Sequence, residues 1–140
     1  MASGGPSAEL FGGLAVGDAL DPLVLEVGAA ANDRYWDGAG IDHPLRRAGA
    51  LYPLIAANLT VLAFTQHCPD AMIQSRQHLV CHQRADAPAR LRTAATVVER
   101  FETRGLPYIT IRAEVTVEGV ALWTSTVDFT PARLVAARSS

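Results

Sequence analysis

His43 stands between Asp42 and Pro44. Histidine is the commonest general base, because its ordinary pKa lies close to neutral pH. A carboxylate beside it could orient the ring or pair with its charge. Adjacency weakens a direct Asp42–His43 pairing, since neighbouring side chains on extended backbone point apart. Asp37 could serve instead, although an aspartate before Gly38 also reads as a plain turn residue. The alternative for His43 is a loop histidine bonded to backbone. His78 and His82, four residues apart on a strand, would share a face, and with His67 or Cys68 they imitate a zinc set. Their spacing and company fit no zinc motif, so no metal is expected, and no cofactor either. All 12 basic residues are arginine. The lack of lysine excludes a Schiff base, a P-loop and a lysine general base.

These groups need a frame to hold them. The most informative segment is Leu51 to Phe64, LYPLIAANLTVLAF. Pro53 suits the first turn of a helix, where its missing N–H costs nothing. Beyond it only Asn58 and Thr60 are polar. A helix apolar all round is buried on all sides, so this one is predicted to be the centre of the domain. Asn58 must then bond a neighbouring loop or face a ligand, because a buried amide left unpaired is costly.

Strand-like runs surround that segment. Pro22 to Val27 reads as a short first strand, and Ala29 to Trp36 as a helical turn or two ended by Asp37-Gly38 and Gly40. His43-Pro44 forces extended backbone. Four strands follow the helix: Met72 to Gln83, Leu91 to Thr103, Tyr108 to Val117 and Val120 to Thr130. The third alternates cleanly, with Ile109, Ile111, Ala113, Val115 and Val117 on one face. Arg104-Gly105 and Glu118-Gly119 are the turns. Trp36 and Trp123 read as packing residues. The order predicts a single α+β domain: a long central helix wrapped by a curved antiparallel sheet. Its bounds are 14–131, between a mobile tail over 1–13 and a C-terminal tail over 132–140.

The chain has 140 residues, 49% hydrophobic and 19% charged, with a net charge of −2. That is one globular domain, and nothing in its charge suggests nucleic acid or an anionic membrane surface. The N-terminus lacks the marks of a secretion signal, and the longest apolar run is too short to span a bilayer. Cys68 and Cys81 read as two buried free thiols of a cytoplasmic protein.

Five short segments carry a resemblance. Val16-Gly17-Asp18 precedes the first strand. Arg34-Tyr35-Trp36 runs through Gly40-Ile41-Asp42-His43-Pro44-Leu45-Arg46. Gly49-Ala50-Leu51-Tyr52-Pro53 leads into the helix. His82-Gln83-Arg84 with Asp86-Ala87-Pro88-Ala89-Arg90-Leu91, and then Phe101 to Tyr108, complete the series. In this order, over about Val16 to Pro131, they resemble the MaoC-like dehydratase/hydratase branch of the hotdog superfamily. That family's active loop usually reads Gly-Asp-x-Asn-Pro-Ile/Leu-His, and its Asp and His activate the water that adds to a 2-enoyl thioester. Here Pro44 and Leu45 match, but the Asp position falls on Ile41, the Asn position on His43 and the His position on Arg46. An isoleucine transfers no proton and an arginine stays charged.

The resemblance implies an acyl-thioester ligand on coenzyme A or an acyl carrier protein. It implies His43 as base with Asp42 as helper, and amides near Leu54 and Ile55 holding the thioester oxygen. Tyr35 and Tyr52 would line the mouth, with Asn58 facing the carbonyl or a catalytic water. Arg46 and Arg47 would meet the carrier's phosphates, or else form surface salt bridges. Three functions compete: a 3-hydroxyacyl-thioester dehydratase or enoyl hydratase with an altered active site, a non-catalytic hotdog subunit, and a hotdog thioesterase. The last usually wants a carboxylate in or near the helix, and Leu51 to Phe64 has none. A homodimer, or a heterodimer with another hotdog protein, is expected because a protomer leaves a sheet edge uncovered.

Overall fold

The computed structural model describes residues 10–40 and 42–139. Five strands form one antiparallel sheet: β1 (Leu23–Val27), β2 (Met72–Cys81), β3 (Ala89–Thr103), β4 (Leu106–Val117) and β5 (Val120–Pro131). Their order is β1-β3-β4-β5-β2, so β1 and β2 are the edges. The helices are α1 (Ala29–Ala39), α2 (Pro44–Arg47), α3 (Ile55–Thr65) and α4 (Ala132–Ser139). The two hairpins turn where expected. Arg104 and Gly105 have φ of 53° and 77°, and Glu118 and Gly119 have 51° and 79°. Two successive positive φ values give the turn the twist of the flanking strands.

The alternation along β4 sets its face. Ile109, Ile111, Ala113 and Val115 are fully buried, as are Trp123, Val127 and Phe129 on β5. This face receives α3. Phe64 stacks on Phe129 with ring centroids 4.5 Å apart. Thr60 Oγ1 lies 2.8 Å from the Ala56 carbonyl and 2.9 Å from Ser125 Oγ, so the polar groups in this contact satisfy one another. Among the described residues no helix is long and apolar enough to cross a membrane.

Several expectations need correction. The central helix begins at Ile55 rather than Leu51, and it is not buried all round. Leu54 is 48% exposed and Leu62 is 44% exposed, with exposed Asn58 between them. At spacings of four these form one stripe, on the side the sheet does not wrap. The helix α1 runs past Gly38 to Ala39, and Gly40 closes it with φ 68° and an N–H bond to the Asp37 carbonyl. Residues 132–139 are helix α4 rather than a loose tail.

The N-terminal boundary also moves. Residues 1–9 lie outside the described residues, but Phe11 is 0% exposed, under the Arg100 guanidinium at 5.0 Å. Arg100 also donates to the Leu14 carbonyl at 3.0 Å. Phe11 and Leu14 are therefore part of the packed core, where a mobile tail through residue 13 is expected from the sequence. The thiols differ as well. Cys68 is buried, and burial pushes its pKa up, whereas Cys81 is exposed at the end of the edge strand β2.

Candidate active site

The inner face of α1 carries Asn32 and Trp36, one turn apart and both buried. Asn32 Nδ2 and Trp36 Nε1 each donate to the Ala50 carbonyl at 2.9 Å. Asn32 Oδ1 accepts the Tyr52 N–H at 2.9 Å. The segment leading into α3 is thereby fixed to α1 on one side. On the other it pairs with the strand-connecting loop: Leu51 N–H donates to the Ala85 carbonyl and Ala87 N–H to the Gly49 carbonyl, both at 2.9 Å. Arg84 adds a bond to the Ala48 carbonyl at 3.1 Å. Asn32 was not singled out from the sequence. The available signal was its spacing of four from Trp36, which puts an amide and an indole on one helix face.

Between α1 and this lead-in lies the 42–47 loop. His43 is extended, with φ −116° and ψ 142°, as a residue before proline must be. Its Nδ1 accepts the Leu45 N–H at 3.0 Å, capping α2, and its ring stacks on Trp36 with centroids 6.0 Å apart. Asp42 does not pair with it. The Asp42 carboxylate is held by Arg47, Nη2 to Oδ2 at 2.7 Å. Arg46 is likewise committed: its Nη2 meets Asp37 Oδ1 at 2.5 Å and its Nε lies 3.9 Å from Asp33 Oδ1. Arg46 and Arg47 therefore form the salt bridges that were the alternative to phosphate binding. Ile41 lies outside the described residues.

Other expected residues do meet. Asn58 Nδ2 donates to the Tyr35 hydroxyl at 3.2 Å, joining α1 to the open stripe of α3. Tyr52 packs edge-on against Trp36, centroids 4.9 Å apart. The head of α3 differs from expectation. Ile55 N–H is not free, because it donates to the Tyr52 carbonyl at 3.1 Å, and Ala56 N–H donates to the Pro53 carbonyl at 3.1 Å. Tight i to i−3 bonds of this kind satisfy the first donors of a helix. Among the described residues no acceptor faces the Leu54 N–H.

Two hollows adjoin this region. An apolar groove of about 380 Å3 lies between β1 and α3, with Leu23, Leu25, Leu59 and Leu62 among its walls. A second, of about 350 Å3, is lined by Ala31, Arg34 and Tyr35. Among the described residues no ion-pair partner faces Arg34, unlike Arg46 and Arg47. Among the described residues no three His, Cys, Asp or Glu side chains are grouped to hold a metal.

No protein-family model matches the chain, and no curated protein matches it. Solved structures do. An unliganded (R)-hydratase from Pseudomonas aeruginosa superposes with a TM-score of 0.71 at 12% identity, over 86% of this chain and 84% of that one. A 3R-hydroxyacyl-ACP dehydratase complex from Mycobacterium tuberculosis gives 0.71 at 17% identity, over 82% and 96%. A MaoC-like dehydratase from Rhodospirillum rubrum gives 0.67 at 20% identity, over 84% and 92%. The chain has the fold these structures share, the hotdog fold of the MaoC-like dehydratases and (R)-hydratases.

Proposed function

We propose that the chain binds acyl thioesters, carried on coenzyme A or an acyl carrier protein, and adds water to the enoyl form or removes it from the 3-hydroxy form. The observation that carries this reading is the Tyr35–Asn58 pair, set beside an apolar groove in a fold shared with a hydratase and a dehydratase. The acyl chain lies along α3 against Leu23, Leu59 and Leu62, and the thioester carbonyl reaches Asn58 and the Leu54 N–H. Tyr35 and Tyr52 wall the mouth. Arg34, rather than Arg46 or Arg47, is the cation for the carrier's phosphates, since among the described residues no carboxylate pairs with its guanidinium.

The Leu45 N–H bond recasts His43. With Nδ1 accepting, the neutral ring carries its proton on Nε2 and offers a donor there. His43 thus donates a hydrogen bond from Nε2, which suits it to polarise a carbonyl, and its lone pair is already engaged by the Leu45 N–H. Assembly belongs to the same reading. The β2 edge leaves ten residues of backbone on the border of the sheet, with Ile73 and Val80 exposed on it. Pairing with a second hotdog protomer covers that edge. A cytoplasmic location goes with ligands of this kind.

A second reading, a non-catalytic subunit, is favoured by one observation. Asp42 and Arg46 are both tied into ion pairs, so no described carboxylate partners His43. The similar dehydratase from Mycobacterium tuberculosis is itself a complex. The deciding experiment offers crotonyl and 3-hydroxybutyryl thioesters of coenzyme A to the purified chain and measures turnover, with binding of butyryl-coenzyme A measured separately. Turnover supports the enzyme. Saturable binding without turnover supports the subunit.

A further inference from the structure

The apolar groove beside α3 has two walls that run in opposite directions. Val27, the last residue of β1, shares a core cluster with Leu51 and Ile55 at the start of α3. Asp21, just before β1, meets the other end of the helix. Its N–H donates to His67 Nε2 at 3.0 Å, and its carbonyl accepts from Gln66 Nε2 at 3.5 Å. Between these ends Leu59 is the buried floor of the groove and Leu62 its exposed rim.

The groove therefore has a direction and an end. Asn58 and Leu62 are one turn apart on the open stripe of α3, and the next turn brings Thr65 and Gln66, which also line the groove. As far as Leu62 the helix wall is hydrocarbon; at Thr65 and Gln66 it becomes polar. There the bonds from Gln66 and His67 to Asp21 tie one wall to the other. A methyl group pushed past that point would strip the Gln66 amide of water or of its partner, which costs free energy.

Both walls give the same length. Asn58 to Gln66 is helical chain, about 12 Å at a rise of about 1.5 Å per residue. Leu25 back to Asp21 is extended chain, about 13 Å at a rise of about 3.3 Å per residue. An extended chain covers about 1.2 Å per bond, because about 3.3–3.6 Å per residue is shared among three bonds. About ten bonds fit, less the width of the Gln66 side chain itself.

We infer that this groove is a ruler for the acyl chain, selecting chains of about eight to ten carbons, with Gln66 as the residue that sets the limit; this rests on the acyl-thioester reading above. The carbonyl is held at Asn58, the methylenes lie over Leu59 and Leu62, and the terminal methyl stops at the Gln66 amide. Gln66 meets the far end of the chain and not the reacting atoms, so it governs which chains bind.

The test is titration calorimetry of the purified chain with butyryl-, octanoyl-, decanoyl-, dodecanoyl- and hexadecanoyl-coenzyme A, each below the concentration at which it aggregates. Affinity is expected to rise about twofold to fourfold per methylene up to about ten carbons and then to stop rising. Gln66→Ala opens the end, and should raise the dodecanoyl-to-octanoyl affinity ratio by about fourfold or more. Leu62→Gln sets a polar group one turn nearer Asn58, and should move the break about four carbons shorter. A rise unbroken to hexadecanoyl in the wild type, or a break that neither variant moves, overturns the ruler and leaves the thioester reading standing. A chain that binds none of these thioesters overturns both.

Discussion

Asn58 Nδ2 donates to the Tyr35 hydroxyl at 3.2 Å across the open side of α3. The two groups are thereby one unit, and their removal should not add. Tyr35→Phe and Asn58→Leu are each expected to weaken butyryl-coenzyme A binding by about threefold to tenfold, and the double variant by little more than one of them. Titration calorimetry on all four proteins completes the cycle. Losses that multiply would show that the pair does not act together. Stability should change by less than about 1 kcal/mol, since this contact sits at the surface.

Asn32 has the opposite profile. It is 2% exposed, and both ends of its amide are used, on the Ala50 carbonyl and the Tyr52 N–H. Asn32→Leu leaves the Tyr52 N–H without its acceptor, while Trp36 still serves Ala50. A cost of about 2–4 kcal/mol is expected, from the lost bonds and the misfit in a packed site. Urea unfolding measures it. A loss under about 0.5 kcal/mol would mean that Asn32 is not what fixes the lead-in to α3.

That contrast bears on what could be read before the fold was known. The sheet was legible because alternation has a period of two and one buried face; Ile109, Ile111, Ala113 and Val115 announce it directly. The turns were legible because Gly105 and Gly119 supply the required positive φ. The start of α3 was not, because Leu51 and Tyr52 are apolar for another reason: they pack in a tethered, extended lead-in. Nor was the open stripe of α3, since Leu54 and Leu62 look no different in sequence from Leu59. At the site, Tyr35 reads from the sequence as a mouth residue beside Tyr52, and its bond to Asn58 has no sequence signal because α1 and α3 meet only in the fold. The partners of Arg46, Asp33 and Asp37, lie on α1, which runs three residues beyond the Trp36 end that the sequence predicts.

Gly12 tests the N-terminal anchor. Its φ is 65°, and a Cβ there would stand 2.0 Å from the His67 carbonyl oxygen. Gly13 has φ 78° with nothing within 4 Å of such a Cβ. Gly12→Ala should therefore cost about 2 kcal/mol or more, and Gly13→Ala about 1 kcal/mol, the conformational penalty alone. Thermal unfolding of both variants separates the two effects. Equal losses would show that Phe11 and its turn do not pack as described.

Assembly is open to a direct count of mass. The chain weighs 14.9 kDa, and light scattering at micromolar concentration is expected to give about twice that. Ile73→Lys with Val80→Lys, placed on the exposed β2 edge, should shift the population toward the single chain. A wild type that stays at 14.9 kDa contradicts pairing through β2.

The central claim is that this chain performs water addition on an acyl thioester. The most direct measurement is the initial rate at which the purified wild type removes the enoyl-thioester absorbance of crotonyl-coenzyme A. The account predicts saturable loss of that absorbance with formation of 3-hydroxybutyryl-coenzyme A. Absorbance that stays at the uncatalysed rate at every protein concentration would contradict it.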